Sequence, residues 1–521
     1  MEFLKNLKNI SPREYQEKIL ETCMEKNCLI VLPTGLGKTL IALMLSIERL
    51  YKFPENKILF LAPTRPLAEQ HFNYYKKHLP ELFAEMNLFT GFVSAEKRKK
   101  IWISSDIIFS TPQCIANDLK NNLYNLEKVC LLIEDEAHRC LKNYDYNYVA
   151  KKYKEQSENQ RIIGMTASPG SEKERINEIC KNLSIEEVEL RKRESPDVKP
   201  YLQELEFEKI LVEFPEEFQK MKNALTGIFY FYIDELKSRN LLFTFPSKIE
   251  LIKLQKKISF SLTKVGTNYN YMLGASACAQ AIKLQHAIEL LETQTLESFH
   301  GYLKNLVEQA RKKQSKGVQK LVLSPEFNFV FESSNELLAK NIEHPKVEKI
   351  LEIINNEISR SKKAKILVFS QFRDTAAIIS EKLNEKNILS KIFVGQAKKT
   401  SNGKTSGLNQ KEQKKIIDDF SEGRIQVLVA TSIGEEGLDI PEVNSVIFYE
   451  PVPSAIRAIQ RAGRTARLMK GKLIILITNK TRDVGSYYAS RSREKKMHSA
   501  IDSIKTEMKN KNNKEEKQRT L

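Results

Sequence analysis

Residues 28–50 read CLIVLPTGLGKTLIALMLSIERL. A short apolar run, Cys28–Leu32, passes into a Gly-rich turn and then a segment of helical periodicity, which is the strand, loop and helix order of a phosphate-binding P-loop. In that arrangement the backbone N–H groups of the turn and of the helix N-terminus face phosphate oxygens. Lys38 meets the β/γ charge, and the Thr39 hydroxyl can reach Mg2+. Gly35 and Gly37 let the backbone come close, whereas Leu32 stands where the G-x-x-x-x-G-K-[ST] pattern has its first Gly. Pro33, Thr34, Gly35, Leu36, Gly37, Lys38 and Thr39 are therefore the candidate nucleotide-binding loop.

Working outward, the same strand, turn and helix theme recurs at Ile58–Ala62, Ile107–Ser110, Cys130–Ile133 and Ile162–Met165. It returns at Ile366–Ser370, Ile392–Val394, Val427–Ala430, Val446–Tyr449 and Leu473–Ile477. Near-continuous apolar strands alternating with helices predict α/β domains, each a parallel sheet covered on both faces, with ligands at the carboxyl ends of the strands. Between the two blocks long helical patterns take over, such as Glu216–Lys237 and Ala277–Arg311. The expected division is 1–202 for the first α/β domain, 203–342 for a mostly helical insertion, 343–485 for the second α/β domain, and 486–521 for a charged tail. That tail, ending KNKNNKEEKQRTL, is too poor in apolar residues to fold alone and is expected to be a helix that frays into disorder. The run RKKQSKGVQK (Arg311–Lys320) is read either as a nucleic-acid contact or as a solvated face.

Length and charge agree with this plan. The chain of 521 residues carries 84 Lys and Arg against 66 Asp and Glu, a net charge of +18, and is 41% apolar and 29% charged. Such a composition excludes disorder along the whole length and favours a polyanionic partner, because each Lys or Arg that neutralises a phosphate releases counterions. No apolar run approaches the roughly 18–20 residues that span a bilayer, so no membrane partner is expected. The first residues, MEFLKNLKNISPRE, lack a signal-peptide core. Seven scattered cysteines, none in a C-x-x-C pair, suggest free thiols in a reducing cytoplasm and no structural zinc.

After the run VCLLI comes EDEAH, Glu134 to His138. An Asp at a strand end can hold Mg2+, and the neighbouring Glu can polarise an attacking water, so Asp135 is assigned to the metal with Thr39, and Glu136 to the base. Glu134 adds a like charge beside them and is expected to alter Mg2+ affinity. His138 and Cys140 are too few for zinc. At the end of the next strand, Thr166 and Ser168 of MTASP can sense the γ-phosphate and couple its loss to the neighbouring domain. In QRAGRTAR (Gln460–Arg467), Arg464 and Arg467 share a helix face and can reach a transferring phosphate as arginine fingers; a surface basic patch is the alternative.

Read together, REYQ (Arg13–Gln16), LPTGLGKT, APTRPLAEQ (Ala62–Gln70), TG (Thr90–Gly91), STPQ (Ser110–Gln113), DEAH, TAS, VFSQFRDT (Val368–Thr375), ATSIGEEGLDIP (Ala430–Pro441) and QRAGRTAR stand in the order of the superfamily 2 helicase motifs. Their wording resembles the archaeal Hef helicase and the Fanconi-anaemia M-type branch-point translocases, over roughly residues 10 to 480. The resemblance implies two RecA-like domains with ATP and Mg2+ between them, and an insertion that helps grip branched DNA. It places Gln16 on the adenine, and Asp439, Gln460, Arg464 and Arg467 in the site from the second domain. It also places Thr64, Arg65, Thr90, Gly91 and Thr111, with Ser370, Gln371, Gly395 and Thr431, on the DNA backbone, contacts that position without reading sequence. The implied activity is an ATP-dependent DNA helicase or translocase acting on forks and junctions in repair and recombination, moving 3′ to 5′. A separate nuclease or clamp partner is compatible with it, and oligomeric state stays open.

The chain departs from the family at Glu134 and at Ala466, where a Gly is frequent. It shows no E-R-K nuclease signature after Arg482, so no nuclease activity is expected. Two other readings stand beside the main one: a duplex-RNA-stimulated ATPase, disfavoured by DEAH in place of DECH, and a non-catalytic architectural binder that recruits a repair nuclease.

Overall fold

The computed structural model describes residues 5, 7–265, 268–395, 399–401, 404–431, 440–452 and 470–519. The first sheet holds β1 (Cys28–Val31), β2 (Lys57–Leu61), β3 (Met86–Phe89), β4 (Ile107–Ser110), β5 (Val129–Asp135), β6 (Ile162–Thr166) and β7 (Glu187–Leu190). All are parallel, in the order β3-β4-β2-β5-β6-β1-β7. Every residue of β1, β4, β5 and β6 is buried. One face packs Ile30, Ile41, Phe60 and Phe109, the other Leu29, Leu132, Val149 and Ile176. That double burial is why these strands read as unbroken apolar runs rather than as alternation.

The second sheet holds β8 (Leu205–Val212), β9 (Ile366–Phe369), β10 (Ser390–Phe393), β13 (Val427–Ala430), β14 (Ser445–Phe448) and β15 (Gly471–Thr478). It is parallel too, in the order β10-β13-β9-β14-β15-β8, while β11 (Lys399–Ser401) and β12 (Lys404–Ser406) form a separate hairpin. The ten apolar runs of the sequence all fall on strands. β3, β7 and β8 give no such run, because MNLF and LEFEKILV carry polar residues at partly exposed positions, and EVEL carries two buried glutamates, Glu187 paired with Lys26 and Glu189 with Arg191. β8 lies within the stretch read as insertion, yet it pairs with β15 along its whole length.

Six helices follow β8, from Glu216–Ser238 to Pro325–Ala339, around a core of Met221, Leu225, Cys278, Leu284, Phe299 and Phe327. Ser and Thr hydroxyls cap their starts: Thr295, Ser315 and Ser324 each accept a backbone N–H three residues on, and Pro325 occupies the first turn after Ser324. The insertion meets the second sheet at a buried charge cluster. Lys346 is fully buried and ion-paired to Asp483, also buried, and its Nζ lies 3.4 Å from Thr293 O. Glu292 is paired to Lys222 at 2.7 Å and Arg482 at 2.7 Å.

The stretch 486–521, expected to be a helix fraying into a charged tail, is docked over its first half. Arg482–Arg519 is one helix, which starts against the second sheet through Tyr487 and buries Met497, Ile501 and Ile504 in the core of the first. Spacing of four and three residues puts these side chains on one stripe, and a stripe needs only a groove to bury it, not a high apolar fraction. Among the described residues no helix is long and apolar enough to cross a membrane. All seven cysteines are free thiols, buried except for the half-buried Cys114.

Candidate nucleotide and nucleic-acid site

The P-loop joins β1 to the helix Lys38–Lys52, entered through Gly37 in a left-handed conformation (φ 76°), with Gly35 left-handed as well (φ 86°). A side chain at Gly37 would lie 2.3 Å from Gln16 Nε2, so the turn and Gln16 are fitted to one another. Gln16 donates to Leu36 O at 3.1 Å and accepts from Arg13 N at 2.9 Å; Tyr15 OH also donates to Leu36 O, at 2.8 Å. Lys38 Nζ folds back onto Leu32 O at 2.8 Å. Thr34 Oγ1 is buried without a hydrogen-bond partner among the described residues. An orphaned hydroxyl, a cation satisfied by its own loop's carbonyls and an open helix start together fit a phosphate group.

Asp135 ends β5 and faces this loop. His71, from the helix Arg65–His78, links the two candidate metal ligands: its Nε2 lies 2.8 Å from Asp135 Oδ2 and its Nδ1 3.5 Å from Thr39 Oγ1. Burial pushes the Asp135 carboxyl up, but the His71 ring, the Lys38 ammonium and the Glu136 N–H outweigh it and hold it below the usual range. Tyr146 OH braces the strand end through Asp135 O at 2.7 Å. Sequence reasoning missed His71, although it directly follows the APTRPLAEQ stretch, because a lone His on a helix has no recognisable spacing to the DEAH box.

Glu136 takes a left-handed backbone (φ 51°), an uncommon state for a residue with a side chain. Its Oε2 is 3.2 Å from His138 Nδ1, which is 3.3 Å from Thr166 Oγ1; Thr166 in turn accepts from Ser168 N and donates to Ser168 O, both at 3.1 Å. Ser168 Oγ contacts Met497 Sδ at 2.8 Å, on the C-terminal helix. The expected like charge at Glu134 is not what the structure shows. Strand alternation turns Glu134 to the other face of β5, fully buried, with Cys140 Sγ donating to its Oε2 at 2.9 Å. Burial raises its carboxyl to about 8, which favours the neutral form and weakens the charge expected beside Asp135. Among the described residues no cluster of three metal-ligating side chains occurs.

The candidate nucleic-acid residues form a second group. Thr64 and Arg65 follow β2, Thr90 and Gly91 follow β3, and Thr111 follows β4, so they line the carboxyl edge of the β3-β4-β2 half of the first sheet. The nucleotide residues occupy the edge of the β5-β6-β1 half. In the second sheet Ser370 and Gln371 follow β9, Gly395 follows β10 and Thr431 follows β13, the corresponding β10-β13-β9 half. Gln371 N is bound by the Glu450 carboxylate, and Arg373 Nη2 donates to Gly395 O at 3.3 Å. Ser370 and Thr431 are buried. Asp439, Gln460, Arg464 and Arg467 lie outside the described residues.

Comparison with known proteins places this geometry. Residues 13–176 match the DEAD/DEAH box helicase family, 345–469 the helicase conserved C-terminal domain, and 220–335 the helical bundle of a putative ATP-dependent RNA helicase family. The chain is similar to a putative ATP-dependent RNA helicase of Methanocaldococcus jannaschii, 38% identical over 94% of this chain and 60% of that one. It is also similar to the Fanconi anemia group M protein homolog of Mus musculus, 32% identical over 95% of this chain and 26% of that one. The crystal structure of the Pyrococcus furiosus Hef helicase domain is 42% identical, covering 92% of this chain and 98% of that one, with a TM-score of 0.71. Among these relatives the chain spans about a quarter of the mouse protein and three fifths of the archaeal one.

Proposed function

Because the chain belongs to the Hef helicase family, within the DEAD/DEAH box helicases, we propose that it is an ATP-driven DNA helicase or translocase acting on forks and junctions. The observation that carries this reading is the split of the first sheet's edge. One half of the first sheet bears the P-loop and the acidic strand end, and the other half, with its counterpart in the second sheet, bears a row of hydroxyl, amide and glycine positions suited to a phosphodiester backbone.

In this proposal Gln16 meets the adenine, Lys38 and the Pro33–Thr39 backbone hold the phosphates, and Thr39 and Asp135, braced by His71, hold the metal. Bound Mg2+ would neutralise charge on the β and γ phosphates. Glu136 orients water, and Asp439, Gln460, Arg464 and Arg467 complete the site from the second domain. Thr166 and Ser168 pass the state of the site to the C-terminal helix, so that closure and reopening of the two domains shift two grips along one strand. We assign 1–202, 203–342, 343–485 and 486–521 as functional divisions on this reading, with β8 serving the second sheet.

A duplex-RNA-stimulated ATPase is the second reading, favoured by the RNA-helicase names of the matched helical-bundle family and of the archaeal relative. Steady-state ATP hydrolysis with no nucleic acid, forked DNA, linear duplex DNA and duplex RNA separates them, with Lys38→Ala as control. Stimulation by forked DNA that vanishes in the control is expected. Stimulation by RNA alone overturns the DNA reading, and none by anything points to an architectural binder.

A further inference from the structure

The carboxyl edge of the first sheet carries one side chain that backbone recognition does not explain. Phe89, the last residue of β3, is 1% exposed and packs against Trp102. Three residues on, past Thr90 and Gly91, Phe92 is 83% exposed. Scattered exposed apolar residues carry no function by themselves. This ring, however, is held: the Arg65 guanidinium lies over one face at 4.6 Å from the centroid, and Phe92 N donates to Thr90 Oγ1 at 3.4 Å. Arg65 Nε is buried without a hydrogen-bond partner among the described residues, and the ring of Phe92 is a neighbour of its guanidinium there. Since β4 lies between β2 and β3, the Arg65–Phe92 contact spans the end of β4, where Thr111 stands.

A phenyl ring offers a phosphate no donor and no charge. What it offers is a π-face, and the face opposite Arg65 is open to solvent. The chemistry that matches a flat apolar face in a row of phosphate-type contacts is an unstacked nucleobase, and a guanidinium behind the ring strengthens the platform. We propose that Phe92, backed by Arg65, stacks on an unpaired base of the strand held along this edge, and thereby favours single-stranded or splayed DNA over closed duplex. The inference rests on the DNA reading above and adds to it a base contact, where the other edge residues touch only backbone.

The test is the affinity of the full chain, by fluorescence anisotropy, for a labelled oligothymidylate, an abasic strand of the same length and a blunt duplex. Phe92→Ala and Phe92→Leu should weaken oligothymidylate binding by roughly 5- to 150-fold, the change that ~1–3 kcal/mol per stacked base produces. Phe92→Tyr should restore it. On the abasic strand and the blunt duplex the variants should match the wild type. A Phe92→Trp variant supplies a direct signature: its emission should be quenched by oligothymidylate and not by the abasic strand, against the buried Trp102, the one native tryptophan. Equal loss on the abasic strand, or no loss on oligothymidylate, overturns the stacking role while leaving the DNA reading intact. A wild-type chain that binds none of the three overturns the DNA reading instead.

Discussion

Replacing Lys346 with Met tests the buried charge that fastens the second domain at its junction with the insertion. Lys346 and Asp483 are both inside the protein, and the pair ties the helix Pro345–Arg360 to the chain segment that follows β15. Met fills nearly the same volume, so the perturbation removes charge without opening a cavity. Asp483 then loses its cation and is left to Thr478, whose N–H donates to it at 3.0 Å. Burial already pushes its carboxyl up, partly offset by Lys346, so the stranded group is expected to cost about 3–5 kcal/mol near neutral pH. Hydrogen exchange in the helix Pro345–Arg360 reads this locally, which avoids assuming one cooperative transition for a multidomain chain. Protection should fall by roughly two to four orders of magnitude, at about 1.4 kcal/mol per decade. The loss should shrink as pH falls, because the stranded carboxyl takes up a proton. Lys346→Met combined with Asp483→Leu should recover most of the protection. A single variant within tenfold of wild type, or a double variant as poor as the single, would refute the reasoning.

Other perturbations follow the same logic. Glu134 has a folded-state value raised from 4.5 to about 8, so the stability tied to its neutral form is fully present below 4.5 and lost as pH rises through 8, by at most about 5 kcal/mol at 1.36 kcal/mol per pH unit. Glu134→Gln should flatten that dependence in urea titrations run with chelator, and an unchanged slope contradicts the assignment. His71→Ala should raise the Mg2+ concentration for half-maximal ATPase by about tenfold or more, through loss of the bridge between Thr39 and Asp135; an unaltered Mg2+ titration rules that role out. Met497→Asp would bury a carboxylate against the first sheet's core and should release the distal half of the C-terminal helix, read as new proteolytic cleavage beyond residue 497; an unchanged digest sinks the docking claim.

The two sheets were readable because strands buried on both faces are apolar throughout, and the P-loop and DEAH box because their chemistry fixes residue types at short spacings. What escaped is long-range. His71 acts at Asp135 across 64 residues, and nothing local marks the pairing. Glu134 was misjudged because adjacency in sequence implies proximity of charge, whereas alternate strand residues face opposite sides. Met497, Ile501 and Ile504 were hidden by the charged residues around them, though their periodicity was legible. β8 was hidden by its glutamates: Glu206 and Glu208 flank Lys472 of β15, at 4.0 and 2.7 Å, so its polar face is satisfied across the strand pair.

That last pairing decides how the chain can be divided. β15 is eight residues of mostly buried Leu and Ile, and it is not an edge only because β8, made some 260 residues earlier in sequence, covers it. A fragment starting at residue 343 would contain every other strand of the second sheet yet present β15 as a long, flat, apolar margin of unpaired N–H and C=O groups, a template for joining another chain. Its failure to stay dispersed would be a property of the cut, and carrying residues 205–212 along, fused through a linker, is the remedy the topology itself prescribes.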